Sequence, residues 1–142
     1  MAREINSIII HCSATPEGRD VTSAEINRWH IERGWSGIGY HYVIRLDGTV
    51  EKGRDEQKQG AHASRHNANS IGVCYIGGMN ASYTQPKDTR TKEQNAALVK
   101  LVFELKAKYN IKNENIIGHN EVSAKACPSF NVREWIKELK WD

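Results

Sequence analysis

The stretch that decides the fold is Tyr40–Glu51, which reads YHYVIRLDGTVE. It consists of two runs rich in β-branched and aromatic residues, separated by Asp47-Gly48. An Asp-Gly pair between two such runs is the strongest short-range signal for a β-hairpin with a tight turn. The sequence therefore predicts an antiparallel pair of strands in the middle of the chain.

Side chains alternate between the two faces of a strand, so the first run also predicts which residues lie together. Tyr40, Tyr42 and Ile44 are expected on one face. The other face is then expected to carry His41, Val43 and Arg45.

Three further apolar runs predict strands on either side of the hairpin. They are short, rich in isoleucine and bounded by polar or glycine-containing segments, as buried strands are. These runs are Ile5–His11, Ile71–Ile76 and the pair Ile116-Ile117, which ends at Gly118. The polar segment Gly60–Ser70 is predicted to be a surface loop.

Helix signals lie between and after these strands. Thr22 with Glu25, and Thr91 with Gln94, have the spacing of a capping box and predict two helix starts. A third helix is predicted to begin at Asn131. Strands and helices in this mixed order, with one antiparallel hairpin, indicate an α/β domain with a mixed central sheet and helices packed on its faces.

Composition limits the class of protein. The 142 residues are 39% hydrophobic and 26% charged, which is typical of one folded domain, here residues 1–142. No apolar run is long enough to span a membrane, and the N-terminus lacks a signal-peptide pattern, so synthesis in the cytoplasm and no membrane partner are expected. The formal net charge of +3, with basic and acidic residues interspersed, does not indicate nucleic acid binding. A monomer is expected.

The cysteines are few and widely spaced. Cys12, Cys74 and Cys127 are odd in number, which favours reduced thiols over a disulfide framework. A lone cysteine is most often a small buried apolar residue, and we prefer that interpretation for Cys12 and Cys74.

The densest chemistry lies in His119–Pro128, which reads HNEVSAKACP. His119 follows a predicted strand, and Cys127 comes eight residues later across a loop. Imidazole nitrogen and thiolate sulfur are preferred ligands of zinc, and His11, at the end of another predicted strand, is the best candidate for a third ligand. Three protein ligands would leave the fourth position open, as in catalytic rather than structural zinc sites.

Two other chemistries remain open on residue types alone. Cys127 could be a nucleophile activated by His119 and oriented by Asn120. Cys12 followed by Arg19 is similar to a phosphatase loop, but the spacing is one residue too long and Pro16 removes an amide donor.

Five segments in this order resemble the type-2 N-acetylmuramoyl-L-alanine amidases, which include bacteriophage lysozyme-type amidases and animal peptidoglycan recognition proteins. The segments are HCSAT (His11–Thr15), GWSGIGYHYVIRLDGTVEKGRDE (Gly34–Glu56), GAHA (Gly60–Ala63), NSIGVCYIGG (Asn69–Gly78) and HNEVSAKACPSF (His119–Phe130). They cover most of the chain.

The resemblance implies a role for individual residues. His11, His119 and Cys127 stand where the family has its zinc ligands. Tyr40 stands at the position of an active-site tyrosine, and Lys125 at that of a catalytic lysine in the phage enzymes. His62 falls where family members line the substrate groove. These five positions and His62 form the predicted site.

The expected function is zinc-dependent hydrolysis of the amide bond between N-acetylmuramic acid and L-alanine in peptidoglycan, with action on the cell wall after release. A non-catalytic peptidoglycan-binding module and a recycling amidase that acts on soluble muropeptides are the alternatives. The family also includes a phage lysozyme that inhibits its host RNA polymerase. The shorter segment before His11 argues against that further role here.

Overall fold

The computed structural model describes residues 3–141, and its architecture follows the helix and strand signals of the sequence. The elements in chain order are β1 (Ser7–Cys12), β2 (Thr15–Pro16), α1 (Ser23–Glu32), β3 (Tyr42–Ile44), β4 (Val50–Lys52), β5 (Ser70–Tyr75), β6 (Gly78–Met79), α2 (Lys92–Tyr109), β7 (Ile116–Gly118) and α3 (Val132–Leu139). Short 3-10 turns precede and follow β7.

The central sheet has the strand order β4-β3-β5-β1-β7. Strands β3, β5, β1 and β7 run parallel, and β4 pairs antiparallel with β3 across the predicted hairpin. The sheet is therefore mixed, as predicted. Strands β2 and β6 form a separate parallel pair.

Helices cover both faces of the sheet. On one face, side chains of α2 and α3 pack on alternate strand residues; this core includes Ile8, Ile10, Tyr42, Leu98 and Trp135. On the other face α1 packs through Ile26 against Val43 and Ile76. Burial of such apolar side chains is the main favourable term that holds helices and sheet together.

The predicted helix starts are confirmed in atomic detail. Thr22 and Thr91 each form a complete capping box, with the threonine hydroxyl accepting from the third helical amide. Asn131 caps α3 by accepting from the amide of Glu134. Gly34 follows the end of α1 with φ of +91°, a left-handed conformation that glycine adopts at low cost.

Two predictions about local structure are wrong. Tyr40 does not share a face with Tyr42, because β3 begins only at Tyr42 and the backbone before it bends. The Tyr40 ring packs on the α1 side of the sheet, whereas Tyr42 belongs to the core under α2 and α3. The segment 60–70 is not simply a surface loop either, because His62 and Ala63 are buried within it.

Within residues 3–141, no helix is long and apolar enough to cross a membrane.

Candidate metal centre and active site

The parallel pairing of β1 with β7 brings two of the predicted ligands together. Ile10 lies opposite Gly118 in the register of the two strands, so the next residues, His11 near the end of β1 and His119 just after β7, lie side by side. Their ring centroids are 4.5 Å apart. The carboxyl ends of parallel strands are where open α/β sheets place their ligand sites.

Cys127 reaches the same point from the loop that precedes α3. Its Sγ lies 3.7 Å from Nδ1 of His11 and accepts a hydrogen bond from the backbone amide of Cys12, at 3.2 Å. The ligand atoms of His11, His119 and Cys127 all lie within 4.8 Å of one another. The structure therefore brings together the three residues that the sequence predicted as ligands.

Strand alternation separates His11 from its neighbour Cys12. The Cys12 side chain points into the core under α2 and α3, while His11 faces the opposite side of the sheet. Cys12 contributes its backbone amide to the site, a contact that the sequence did not suggest.

The geometry of the group suits a small cation with tetrahedral coordination. Zinc–nitrogen and zinc–sulfur distances of about 2.0 and 2.3 Å imply a nitrogen–sulfur separation of roughly 3.5 Å at the tetrahedral angle. The observed 3.7 Å between His11 Nδ1 and Cys127 Sγ is close to that value. Nδ1 of His119 is buried and finds no hydrogen-bond partner among residues 3–141, and a bound cation would satisfy it.

Electrostatics keeps both histidines in the form that binds metals. Burial, with His62, His119 and Lys125 nearby, lowers the pKa of His11 well below its ordinary value. Burial also lowers the pKa of His119. Neutral imidazole is the species that coordinates a metal, so neither ring has to lose a charge first.

The Cys127 thiol behaves differently. Contact with the Cys12 thiol, together with burial, raises the pKa of Cys127 above the ordinary value for a thiol, although the hydrogen bond from the Cys12 backbone amide acts in the opposite direction. A metal ion therefore has to displace a proton from this sulfur on binding.

Tyr40 and Lys125 line the same cavity as the three-residue group. The Tyr40 ring is 5.1 Å from the His11 ring, and burial raises the pKa of its phenol well above the ordinary value, so the hydroxyl remains a donor. Lys125 is exposed and comes two residues before Cys127. Both side chains line the same cavity of about 210 Å³ as the candidate ligands.

His62 lies behind His11 in the described structure. Its Nδ1 is 2.9 Å from Nε2 of His11, and its Nε2 is 3.2 Å from the hydroxyl of Ser70. Burial lowers the pKa of His62 to about 3, so the ring is neutral near pH 7. A direct contact of His62 with substrate stays a prediction, because both of its nitrogens have protein partners.

Two aromatic residues that line the site, His30 and Trp35, were not predicted from the sequence. Nδ1 of His30 accepts a hydrogen bond from the amide of Gly39 at 3.0 Å, and its ring centroid is 4.5 Å from that of Trp35. His30 lies one helical turn after the buried Ile26, and this spacing could have indicated an inward position. Trp35, in a Gly-rich turn, is 40% exposed although it is large and apolar.

The site opens into a larger groove. A second cavity, of about 520 Å³, shares Trp35, Ala61, His62, His119 and Lys125 with the first. An extended ligand could therefore lie along the loop 60–70 and reach the three-residue group at one end.

Known proteins with this sequence pattern and this fold are numerous. The endolysin of Enterobacteria phage K11 is 42% identical over 135 residues, which cover 95% of this chain and 87% of that protein. The structure of N-acetylmuramoyl-L-alanine amidase LysC from Clostridium intestinale URNW superposes with a TM-score of 0.81 and 35% identity, over 96% of this chain and 85% of that one.

A more distant structure is that of peptidoglycan recognition proteins LCa and LCx in complex with tracheal cytotoxin. It has a TM-score of 0.76 and 27% identity over 99% of this chain and 87% of that one. The sequence model of the N-acetylmuramoyl-L-alanine amidases itself matches residues 1–130. With this fold and this arrangement of strand-end residues, the chain belongs to the N-acetylmuramoyl-L-alanine amidase family.

Proposed function

We propose that the chain is a zinc-dependent amidase that hydrolyses the bond between N-acetylmuramic acid and L-alanine in peptidoglycan, with residues 1–142 acting as one catalytic domain. The observation that carries the proposal is the group of His11, His119 and Cys127, whose ligand atoms lie within 4.8 Å of one another at the strand ends of an amidase-family fold. The endolysin relatives support action on the cell wall after release.

Two imidazoles and one thiolate are a donor set that suits zinc. Magnesium and calcium prefer oxygen ligands, and this group offers none. A zinc ion held there would supply a Lewis acid for the amide carbonyl and would lower the pKa of water towards neutrality. His11, His119 and Cys127 would hold it, leaving one position open to the cavity.

The other site residues act on charge that develops during amide hydrolysis. In this proposal the phenol of Tyr40 donates a hydrogen bond to the reacting centre, and Lys125 offsets negative charge beside it. Groups that are already oriented before the reaction stabilise a transition state at little reorganisation cost. Neither residue belongs to the candidate ligand group, so both are proposed as catalytic residues.

The groove supports a polymeric or extended substrate. The cavity of about 520 Å³ continues from the candidate ligands along the loop 60–70 and carries the exposed Trp35. Amphipathic aromatic side chains of this kind supply contact area for mixed polar and apolar ligands. Peptidoglycan or a muropeptide is the proposed ligand, with His62 at the side of the groove.

A cysteine-nucleophile mechanism is the second candidate, and the 3.7 Å contact between Cys127 Sγ and His11 Nδ1 favours it. A non-catalytic binding module is a third alternative, but it would not need the complete set of three ligands. Metal analysis combined with an activity assay distinguishes all three. The zinc enzyme carries about one zinc per chain, loses activity with a chelator and regains it with added zinc.

The decisive measurements are zinc content and release of new amino-terminal alanine from purified peptidoglycan. A protein that keeps full activity after complete metal removal, and loses it after thiol alkylation, would replace the zinc mechanism with the cysteine one. Binding to peptidoglycan without any hydrolysis, whatever the zinc content, would indicate the binding module. Comparing intact sacculi with soluble muropeptides tests the choice between wall lysis and recycling, since a recycling enzyme should act only on the soluble substrate.

A further inference from the structure

The two ring nitrogens of His11 face different partners. Nδ1 points towards Cys127 Sγ, at 3.7 Å, and Nε2 points away from it towards Nδ1 of His62, at 2.9 Å. Only a nitrogen without a proton can bind a metal, and a neutral imidazole has one such nitrogen. Whether His11 is a competent ligand therefore depends on the direction of its hydrogen bond with His62.

Ser70 determines that direction. Its hydroxyl oxygen lies 2.6 Å from the carbonyl oxygen of His66 and 3.2 Å from Nε2 of His62. A carbonyl only accepts, so the single hydroxyl proton of Ser70 is donated to His66. The hydroxyl must then accept from His62, which places the proton of the neutral His62 ring on Nε2.

The position of the proton on His62 in turn determines the tautomer of His11. With its proton on Nε2, His62 has a free lone pair on Nδ1 and accepts a hydrogen bond from His11. We propose that Ser70 and His62 are positioning residues that hold His11 in the tautomer with its proton on Nε2, so that Nδ1 faces the metal position without a proton. Partners behind a ligating histidine are known to set its tautomer and orientation in this way.

Close packing around His62 prevents its ring from rotating. A Cβ added to Gly72 would lie 2.5 Å from Cγ of His62, and one added to Gly60 would lie 2.6 Å from Cδ2. The ring is therefore seated directly on two glycine backbones. Oδ1 of Asn67 accepts from the amides of His62 and Ala63, each at 2.9 Å, and holds the backbone in place.

This inference rests on the proposed zinc site, and the first test does not need the metal. In the metal-free protein with ¹⁵N-labelled histidine, NMR shifts report which ring nitrogen carries the proton. We expect His11 to have its proton on Nε2 in the wild type. Ser70→Ala should release the constraint and shift His11 towards a mixture of tautomers. Ser7→Ala, which removes a hydroxyl from the residue paired with Ser70, is the matched control and should change nothing.

The second test measures zinc affinity by competition with a chelator. His62→Leu removes the acceptor for His11 and should weaken zinc binding by about 10- to 100-fold. His62→Asn keeps an acceptor oxygen near the position of Nδ1 and should recover much of that loss. A purely structural role for His62 would favour leucine over asparagine, since leucine fills the volume of the ring more fully.

The outcomes separate this inference from the zinc proposal. A wild-type His11 with its proton on Nδ1, or zinc affinity unchanged in His62→Leu and Ser70→Ala, would overturn the role of the two residues. The expected tautomer in a wild type that binds no zinc would instead reject the zinc site and leave the hydrogen-bond order intact. If His62→Leu does not fold, the tautomer of His11 in the wild type and in Ser70→Ala still tests the inference.

Discussion

Gly72→Ala gives a sharp test of how the site is supported from within the sheet. Gly72 lies in β5, opposite Ile9 of β1. The three heavy atoms nearest to an added Cβ all belong to His62, at 2.5, 2.6 and 2.8 Å, whereas ordinary contacts begin near 3.4 Å. The ring would have to move by roughly 1 Å, which is enough to break its 2.9 Å hydrogen bond to His11.

The size of the effect follows from this collision. Overpacking of a well-packed interior costs about 1–3 kcal/mol, and a lost hydrogen bond adds about 1 kcal/mol. Replacing a strand glycine with alanine returns about 0.5–1 kcal/mol because alanine loses less backbone entropy on folding. We therefore expect Gly72→Ala to lower the free energy of unfolding by about 1–3 kcal/mol, or the melting temperature by roughly 3–10 °C.

The assay is a double-mutant cycle with His62→Ala, measured by urea unfolding of metal-free protein. Removing the ring removes the collision, so Gly72→Ala should be neutral or slightly stabilising in the His62→Ala background. The coupling free energy should be about 1–3 kcal/mol. An equal cost of Gly72→Ala in both backgrounds would show that the added methyl group meets something other than His62, and would refute the reasoning.

Other predictions address the remaining residues of the site. Tyr40→Phe and Lys125→Ala should keep one zinc per chain but reduce kcat by roughly 100- to 1000-fold on a soluble muropeptide; wild-type turnover in either zinc-loaded variant would remove that residue from the mechanism. Cys12→Ala should retain zinc, because the backbone amide of residue 12 that donates to Cys127 remains. Loss of zinc from this variant in metal analysis would show that the Cys12 thiol is itself a ligand.

Burial lowers the pKa of His30 to about 4, below its unfolded value near 6.5, so the native state disfavours the proton. Its contribution to stability is thus present above pH 6.5 and should be lost as the pH falls towards 4. His30→Asn, which keeps an acceptor for the Gly39 amide, should show a shallower decline in unfolding free energy over that range, and an unchanged slope would contradict the assignment.

Local patterns in the sequence were sufficient to predict the three helices and the strands of the central sheet, but not the short β2–β6 pair. The capping boxes at Thr22 and Thr91 and the Asp-Gly turn depend on contacts within a few residues, so each can be read without knowing the rest of the chain. The alternation along β1 likewise separated His11 from Cys12, because the two-residue period of a strand is a local property.

The candidate ligands were also predicted from the sequence, but the distances between them depend on contacts between distant parts of the chain. His11 and His119 are more than a hundred residues apart, and the register of β1 against β7 brings their rings to 4.5 Å. The residue types suggested zinc, and the resemblance to the amidases selected among the chemistries that remained open. The distances themselves come from strand pairing and from the loop that returns Cys127 to the end of β1.

Only the tertiary structure decided the position of Tyr40 and the burial of His62. The two-residue period predicted Tyr40 beside Tyr42, but the period holds only inside a strand, and β3 begins after Tyr40. The segment 60–70 is polar and resembles a surface loop, yet His62 is buried because two glycines leave space for its ring and Ser70 and His11 satisfy its nitrogens. Sequence determines which groups are available, whereas burial of a polar group depends on partners that only the folded chain supplies.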